Sequence, residues 1–138
     1  MGTMEAVSRG AAEAGGLVIG ITCQEIETWR PVPPNAWVME EKKFTMLRDR
    51  LFALIDEGQA ALALPGGQGT LAEVSVMWTQ LAIGALAPRP LILIGGAWER
   101  TFRRFYEELG DYVTQGRRRW LQFAADVDTA VLMLSRSS

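Results

Sequence analysis

Histidine is absent from this chain of 138 residues, and cysteine occurs once, at Cys23. Without histidine, the sequence lacks the commonest metal ligand and the usual proton-transfer group near neutral pH. A single cysteine excludes an internal disulfide and any cysteine-rich metal site, and a buried, unreactive thiol is the favoured interpretation of Cys23. We therefore predict no metal site and expect any chemistry to come from carboxylates, arginine, lysine, hydroxyls or backbone N–H groups.

The sequence also lacks a strong charge of one sign and long apolar runs. Its net charge is −2, which gives no electrostatic reason to predict binding to nucleic acid or to an anionic membrane. The arginines of RTFRR and GRRRW are interpreted as solvated faces. No apolar run reaches the ~18 residues of a membrane span, and the N-terminus does not read as a signal peptide. We predict a cytoplasmic protein.

Short apolar runs alternate with longer segments of helical periodicity. LVIGITC, AALALP and PLILIGG are almost continuously apolar, which is typical of strands buried on both faces of a parallel sheet. WLQFAAD is a weaker strand, expected near a sheet edge. The alternation predicts an α/β fold, a three-layer α/β/α Rossmann-like sandwich with a mostly parallel sheet, as a single domain over residues 1–138.

Five helices are predicted around these strands, at residues 3–15 with Thr3 as the cap, 39–58, 70–86, 97–113 and 126–136. For the last helix, Asp126 or Asp128 is the expected cap. Residues 24–41 carry three prolines and two tryptophans and are predicted to form a long loop. This loop is either a rigid surface connection or a lining of the substrate site.

The stretch ALALPGGQGTLAEV joins a strand to a helix through a glycine-rich turn. We expect Gly66, Gly67 and Gly69 to permit positive φ and to leave the turn without Cβ atoms. Thr70 then begins the helix as its N-cap or within its first turn. Outward-pointing backbone N–H groups at a helix start suit a phosphate, although a turn required only for tight packing is the alternative.

Glu73 follows within the new helix, and the sequence allows two interpretations of it. Placed in the first turn, its carboxylate would offset the helix dipole. It could instead accept hydrogen bonds from the ribose hydroxyls of a bound nucleotide. Its position in the sequence does not separate the two.

PGGQGTLAEV resembles the P-G-G-x-G-T-x-x-E motif of the LONELY GUY (LOG) family, cytokinin riboside 5′-monophosphate phosphoribohydrolases long labelled lysine decarboxylases. GTMEAVSRGAAEAGGLVIGI and MWTQLAIG resemble the segments that flank this motif in the family. The resemblance implies hydrolysis of a nucleoside 5′-monophosphate to free base and ribose 5-phosphate, without a cofactor. The identity of the base stays open.

The resemblance also implies roles for individual residues. Arg50 and Glu73 correspond to the catalytic arginine and glutamate, and Gly66, Gly67, Gly69, Thr70 and Arg48 would bind substrate or its phosphate. TMLRDRL departs from the family's M-x-x-R-K, since Leu51 replaces the lysine. Without the family, Arg48 and Arg50 would be read as the solvated face of an amphipathic helix. A homodimer through the helix segment 77–86 is also implied.

In the family, a first strand and a glycine-rich phosphate-binding turn precede the segment at which this sequence begins. The start could lie upstream, the sequence could be truncated, or the protein could be short and complete its sheet differently, for example through a partner chain. Two sets of features therefore favour different functions. Retention of Arg50 and Glu73 favours an enzyme, whereas loss of the lysine and of the N-terminal pocket favours a nucleotide-binding carrier or sensor.

Overall fold

The computed structural model describes residues 2–137. In these residues helices and strands alternate as far as residue 109, after which a 3₁₀ helix and a short helix precede the last strand. The helices are α1 (Thr3–Glu13), α2 (Gln24–Trp29), α3 (Leu47–Asp56), α4 (Gln68–Ile83), α5 (Gly96–Leu109), α6 (Gln115–Arg118) and α7 (Val127–Arg136), with a 3₁₀ helix at Gly110–Tyr112. The strands are β1 (Ile19–Cys23), β2 (Glu40–Phe44), β3 (Ala61–Ala63), β4 (Leu91–Ile94) and β5 (Gln122–Ala124).

The chain divides into two compact units, residues 1–57 and 58–138. In the first unit, β1 pairs in parallel with β2, with Ile19 opposite Glu40 and Cys23 opposite Phe44. The charged side chains of β2 are exposed. The buried apolar residues of this unit are few among those described, namely Val18, Cys23 and Ile55.

The second unit contains a parallel sheet in the order β3-β4-β5. The central strand β4 is buried along its whole length, as its four consecutive branched aliphatic residues predict. On one face, Ile92 and Ile94 pack with Ala124 and Ala130 of β5 and α7. Because the strands are parallel, their carboxyl ends share one edge, and α4, α5 and α7 follow these ends in the chain.

The structure confirms the α/β class, with parallel pairing throughout the described strands, as in Rossmann-like folds. The four predicted strands are present, and β5 lies at a sheet edge. Of the three strands expected to be buried on both faces only β4 is, since Ile19 of β1 and Leu62 of β3 are exposed. Asp126 caps α7 by accepting a hydrogen bond from the Thr129 N–H at 2.8 Å, and this bonding lowers the pKa of its carboxyl. The single domain over residues 1–138 stays a prediction.

Three local predictions were wrong. The helix expected over residues 39–58 begins at Leu47, because Glu40–Phe44 pairs with β1 as a strand. The loop expected over residues 24–41 contains α2, and its irregular part is tied to α1 through Asn35 Nδ2, which donates to Ser8 Oγ at 3.2 Å. Gly2, not Thr3, occupies the N-cap of α1, and no side chain in the described part of the chain caps this helix.

Within residues 2–137, no helix has both the length and the apolar character required to span a bilayer.

Candidate nucleotide site

The glycine turn ends in a helix start whose backbone N–H groups are uncapped. β3 ends at Ala63, and α4 begins at Gln68 with Gly67 as its N-cap. The first intrahelical bond runs from the Leu71 N–H to the Gly67 carbonyl at 3.0 Å. The N–H groups of the three preceding helical residues therefore have no intrahelical acceptor, and no side chain among residues 2–137 caps this helix. This arrangement suits an anion such as a phosphate.

The three glycines of the turn do not have the backbone conformation expected from the sequence. Among the described residues, positive φ occurs at Gly15, Gly84 and Gly95, and at none of the glycines in the turn. The expectation of positive φ was therefore wrong. Gly66 is required for a different reason, since a Cβ there would clash with Thr70 Oγ1.

Packing within the protein does not require Gly67 or Gly69. A Cβ built at either position meets nothing within 4 Å. Gly69 also lies in the first turn of α4, where glycine costs helix stability relative to alanine. Both glycines leave the backbone uncovered on its open side, which permits a ligand to approach it closely.

Glu73 lies on the second turn of α4, not on the first, because the helix begins at Gln68. The interaction with the helix dipole falls off within the first turn, so the dipole interpretation is weakened. Glu73 is half-buried and follows Gly69 by four residues, which places the two on the same helix face. A ligand seated over Gly69 would therefore lie on the face that carries this carboxylate.

Trp98 fixes the start of the turn from α5. Its indole Nε1 donates to the Leu64 carbonyl at 3.0 Å, and the side chain is 7% exposed. The sequence places Trp98 only in the apolar stripe of α5. Periodicity identifies it as a buried residue, but the partner of its indole N–H lies thirty-four residues away and leaves no signal in the sequence.

Arg50 lies in the first unit, in the first turn of α3. Its side chain is half-buried, and its Nε donates to the Ile21 carbonyl of β1 at 3.0 Å. The start of α3 is capped from α2, since the Leu47 N–H donates to Glu25 Oε2 at 2.7 Å. Sequence reasoning missed Glu25, whose capping role depends on the packing of α2 against α3.

Arg48 differs from Arg50 in its surroundings. It is exposed, and its Nε lies 3.8 Å from Asp49 Oδ1 in an exposed ion pair. Such a pair contributes little to stability, so Arg48 fits the solvated-face interpretation better than Arg50 does. The second unit brings together the glycine turn, Thr70 and Glu73, while the two arginines belong to the first unit. The functional roles of all these residues stay predictions.

A protein-family model described as "possible lysine decarboxylase" matches residues 4–134, which include every candidate site residue. A search of curated proteins gave no match.

Proposed function

The chain belongs to the possible lysine decarboxylase family, which is the LOG family, and on that premise we propose that it hydrolyses the N-glycosidic bond of a nucleoside 5′-monophosphate. Family membership suggests a nucleotide phosphoribohydrolase-like role. The specific reaction, with free base and ribose 5-phosphate as products, is our proposal.

The observation that carries the proposal is the uncovered backbone at Gly67 and Gly69. These glycines have no packing neighbour that would exclude a Cβ and no positive φ that would require glycine. Their N–H groups stand at an uncapped helix start. A ligand phosphate that needs close contact with this backbone accounts for glycine at both positions.

Glu73 is proposed to act on the ribose. Cleavage of an N-glycosidic bond passes through a sugar with oxocarbenium character, which a nearby carboxylate stabilises. In the proposed step the bond between C1′ and the base nitrogen breaks, and its electron pair leaves with the base. Water oxygen bonds to C1′, and the proton released by water balances the charge on the base.

Arg50 is proposed to stabilise the leaving-group side of the breaking bond electrostatically, with Arg48 as the weaker candidate. An arginine stays protonated at working pH, so it positions and neutralises negative charge and does not act as a general acid. The hydrogen bond from Arg50 to the Ile21 carbonyl supports this choice, because it orients the side chain before substrate binds. The assignment otherwise rests on the family resemblance.

The test is release of ribose 5-phosphate from AMP and from an N6-substituted AMP. We expect wild-type protein to release it and Glu73→Gln to lose activity by about 100-fold or more, as expected for loss of transition-state stabilisation. Glu107→Gln is the matched control, because Glu107 is an exposed surface carboxylate on α5. It should keep wild-type activity.

Two results would contradict parts of this proposal. Equal activity in wild type and Glu73→Gln would remove Glu73 from the mechanism. Binding of AMP without release of ribose 5-phosphate would favour the alternative, a nucleotide-binding carrier or sensor.

A further inference from the structure

The turn that begins α5 lies directly against the glycine turn that begins α4. Gly95 has φ of +107°, and a Cβ built on it would lie 3.3 Å from Pro65 Cγ. The hydrogen bond from Trp98 to the Leu64 carbonyl joins the same two segments. The first turn of α5 is therefore fixed beside the segment that leads into the proposed phosphate site.

Arg100 extends back over this first turn of α5. A Cβ built at Gly96 would lie 2.8 Å from Arg100 Nη1, so the guanidinium occupies the space that a side chain at residue 96 would take. Helical side chains generally point toward the N-terminus of their helix, which is consistent with this placement. The positive charge therefore lies near Gly96, just beyond the carboxyl end of β4.

Arg100 also differs from the other arginines of α5 in its partners. Arg103 pairs with Glu99 at 3.2 Å, and Arg104 pairs with Glu107 and Glu108. Within residues 2–137, Arg100 makes no hydrogen bond or ion pair, and its side chain is exposed to solvent. Its fork of donors, which matches the oxygens of a phosphate, is not occupied by a carboxylate.

We propose that Arg100 is a specificity residue that binds the phosphate monoester of the substrate and so favours nucleotides over nucleosides. The inference rests on the proposed function and deepens it by assigning a residue to phosphate selection. The glycine turn supplies neutral N–H donors, and Arg100 supplies the full positive charge. A guanidinium discriminates strongly between a phosphate dianion and a neutral hydroxymethyl group, because only the dianion offers charged acceptors.

The test compares binding of ribose 5-phosphate and of ribose by titration calorimetry. We expect Arg100→Gln to weaken ribose 5-phosphate binding about tenfold or more, the loss typical of a hydrogen bond to a charged group. Ribose binding should not change, and Arg100→Lys should restore part of the affinity. Arg103→Gln removes the same charge from the same helix and should change ribose 5-phosphate binding less than about twofold, as a screened surface charge.

Several outcomes would overturn the inference. Equal losses of ribose 5-phosphate affinity in Arg100→Gln and Arg103→Gln would indicate that the general positive field of α5 acts on the ligand. Unchanged affinity in Arg100→Gln would show that Arg100 does not contact the phosphate. Absence of ribose 5-phosphate binding by wild type would also overturn it. The proposed function fails separately: if wild type binds ribose 5-phosphate through Arg100 but releases no base from AMP, the phosphate contact stands and the hydrolase does not.

Discussion

Gly69 is the residue at which folding and the proposed function make opposite demands. It lies in the first turn of α4 with open space where a Cβ would be. Alanine would suit the helix better than glycine, by up to about 1 kcal/mol. A side chain at this position would, however, cover the backbone that the proposed phosphate approaches.

We expect Gly69→Ala to keep or raise the free energy of unfolding and to weaken binding of ribose 5-phosphate. Urea unfolding and calorimetric titration measure the two effects. Gly10→Ala is the matched control, because Gly10 lies within α1 with equally open surroundings. It should also favour its helix and leave binding unchanged. Unchanged binding in Gly69→Ala would contradict the proposed phosphate site.

Tyr106 carries a buried hydroxyl that makes no hydrogen bond within residues 2–137. Burial raises the pKa of this phenol above its ordinary value of about 10, and the nearby Arg118 guanidinium partly opposes the shift. The folded state therefore holds the phenolic proton more tightly than the unfolded state. The contribution of the protonated Tyr106 phenol to stability is complete below pH ~10 and falls as the pH rises through the pKa that this phenol has in the folded state.

We expect Tyr106→Phe to be neutral or stabilising at pH 7, because it removes an unsatisfied polar group. It should also reduce the loss of stability above pH ~10. Denaturant unfolding of the variant and of wild type, at pH 7 and above pH ~10, measures both effects. Tyr112→Phe should leave the alkaline loss in place, since Tyr112 is 80% exposed. A large loss of stability at pH 7 in Tyr106→Phe would show that the hydroxyl has a partner.

At the scale of elements, α3 depends on a side chain from another helix. The N-cap residue Met46 provides no side-chain acceptor, and the Glu25 carboxylate of α2 accepts the hydrogen bond from the Leu47 N–H instead. α2 is in turn linked to β2 by an ion pair between Glu27 and Lys43 at 2.5 Å. The placement of Arg50 in the first turn of α3 therefore depends on contacts from α2.

We expect Glu25→Ala to lower the free energy of unfolding by about 1 kcal/mol, the usual cost of losing a helix cap. Glu25→Gln retains an oxygen acceptor and should lose less. The control is Glu13→Ala, which removes only an exposed ion pair with Arg9 and should cost less than about 0.5 kcal/mol. Equal effects at Glu25 and Glu13 in urea unfolding would show that the cap contributes nothing specific.

At the scale of the whole molecule, burial within the chain limits which side chains of segment 77–86 are available for the predicted homodimer contact. Met77, Leu81 and Leu86 are already buried within the chain, at 3%, 2% and 7% exposure. Ile83, at the end of α4, is 69% exposed. If the segment forms the dimer contact, Ile83 is its main apolar contributor.

We expect light scattering to show a dimer and Ile83→Asp to shift it to monomer, because a charge would be placed in an apolar contact. Leu132→Asp is the control, since Leu132 is 58% exposed on α7 and outside the segment. It should leave the dimer intact. A monomeric wild type, or equal dissociation in both variants, would contradict the predicted contact.

Where a structural element is specified by its own residues, the sequence was sufficient to predict it. The strands β3 and β4, the glycine turn before α4 and an aspartate cap for α7, at Asp126 or Asp128, were all predicted, because each depends on neighbours within a few positions. The motif in the glycine turn also indicated the family, which the match over residues 4–134 confirms. These features follow from local conformational preferences and from the pattern of apolar residues, both of which are visible in the sequence.

Only the tertiary structure decided features that depend on partners distant in the sequence. Glu40–Phe44 consists largely of helix-forming residues, yet it is a strand because β1 supplies its pairing partner. The Trp98 bond to Leu64, the Glu25 cap of α3 and the placement of Arg100 over Gly96 depend likewise on side-chain packing and direction. Propensity describes a residue's local preference, whereas these contacts follow from where the folded chain places its partners.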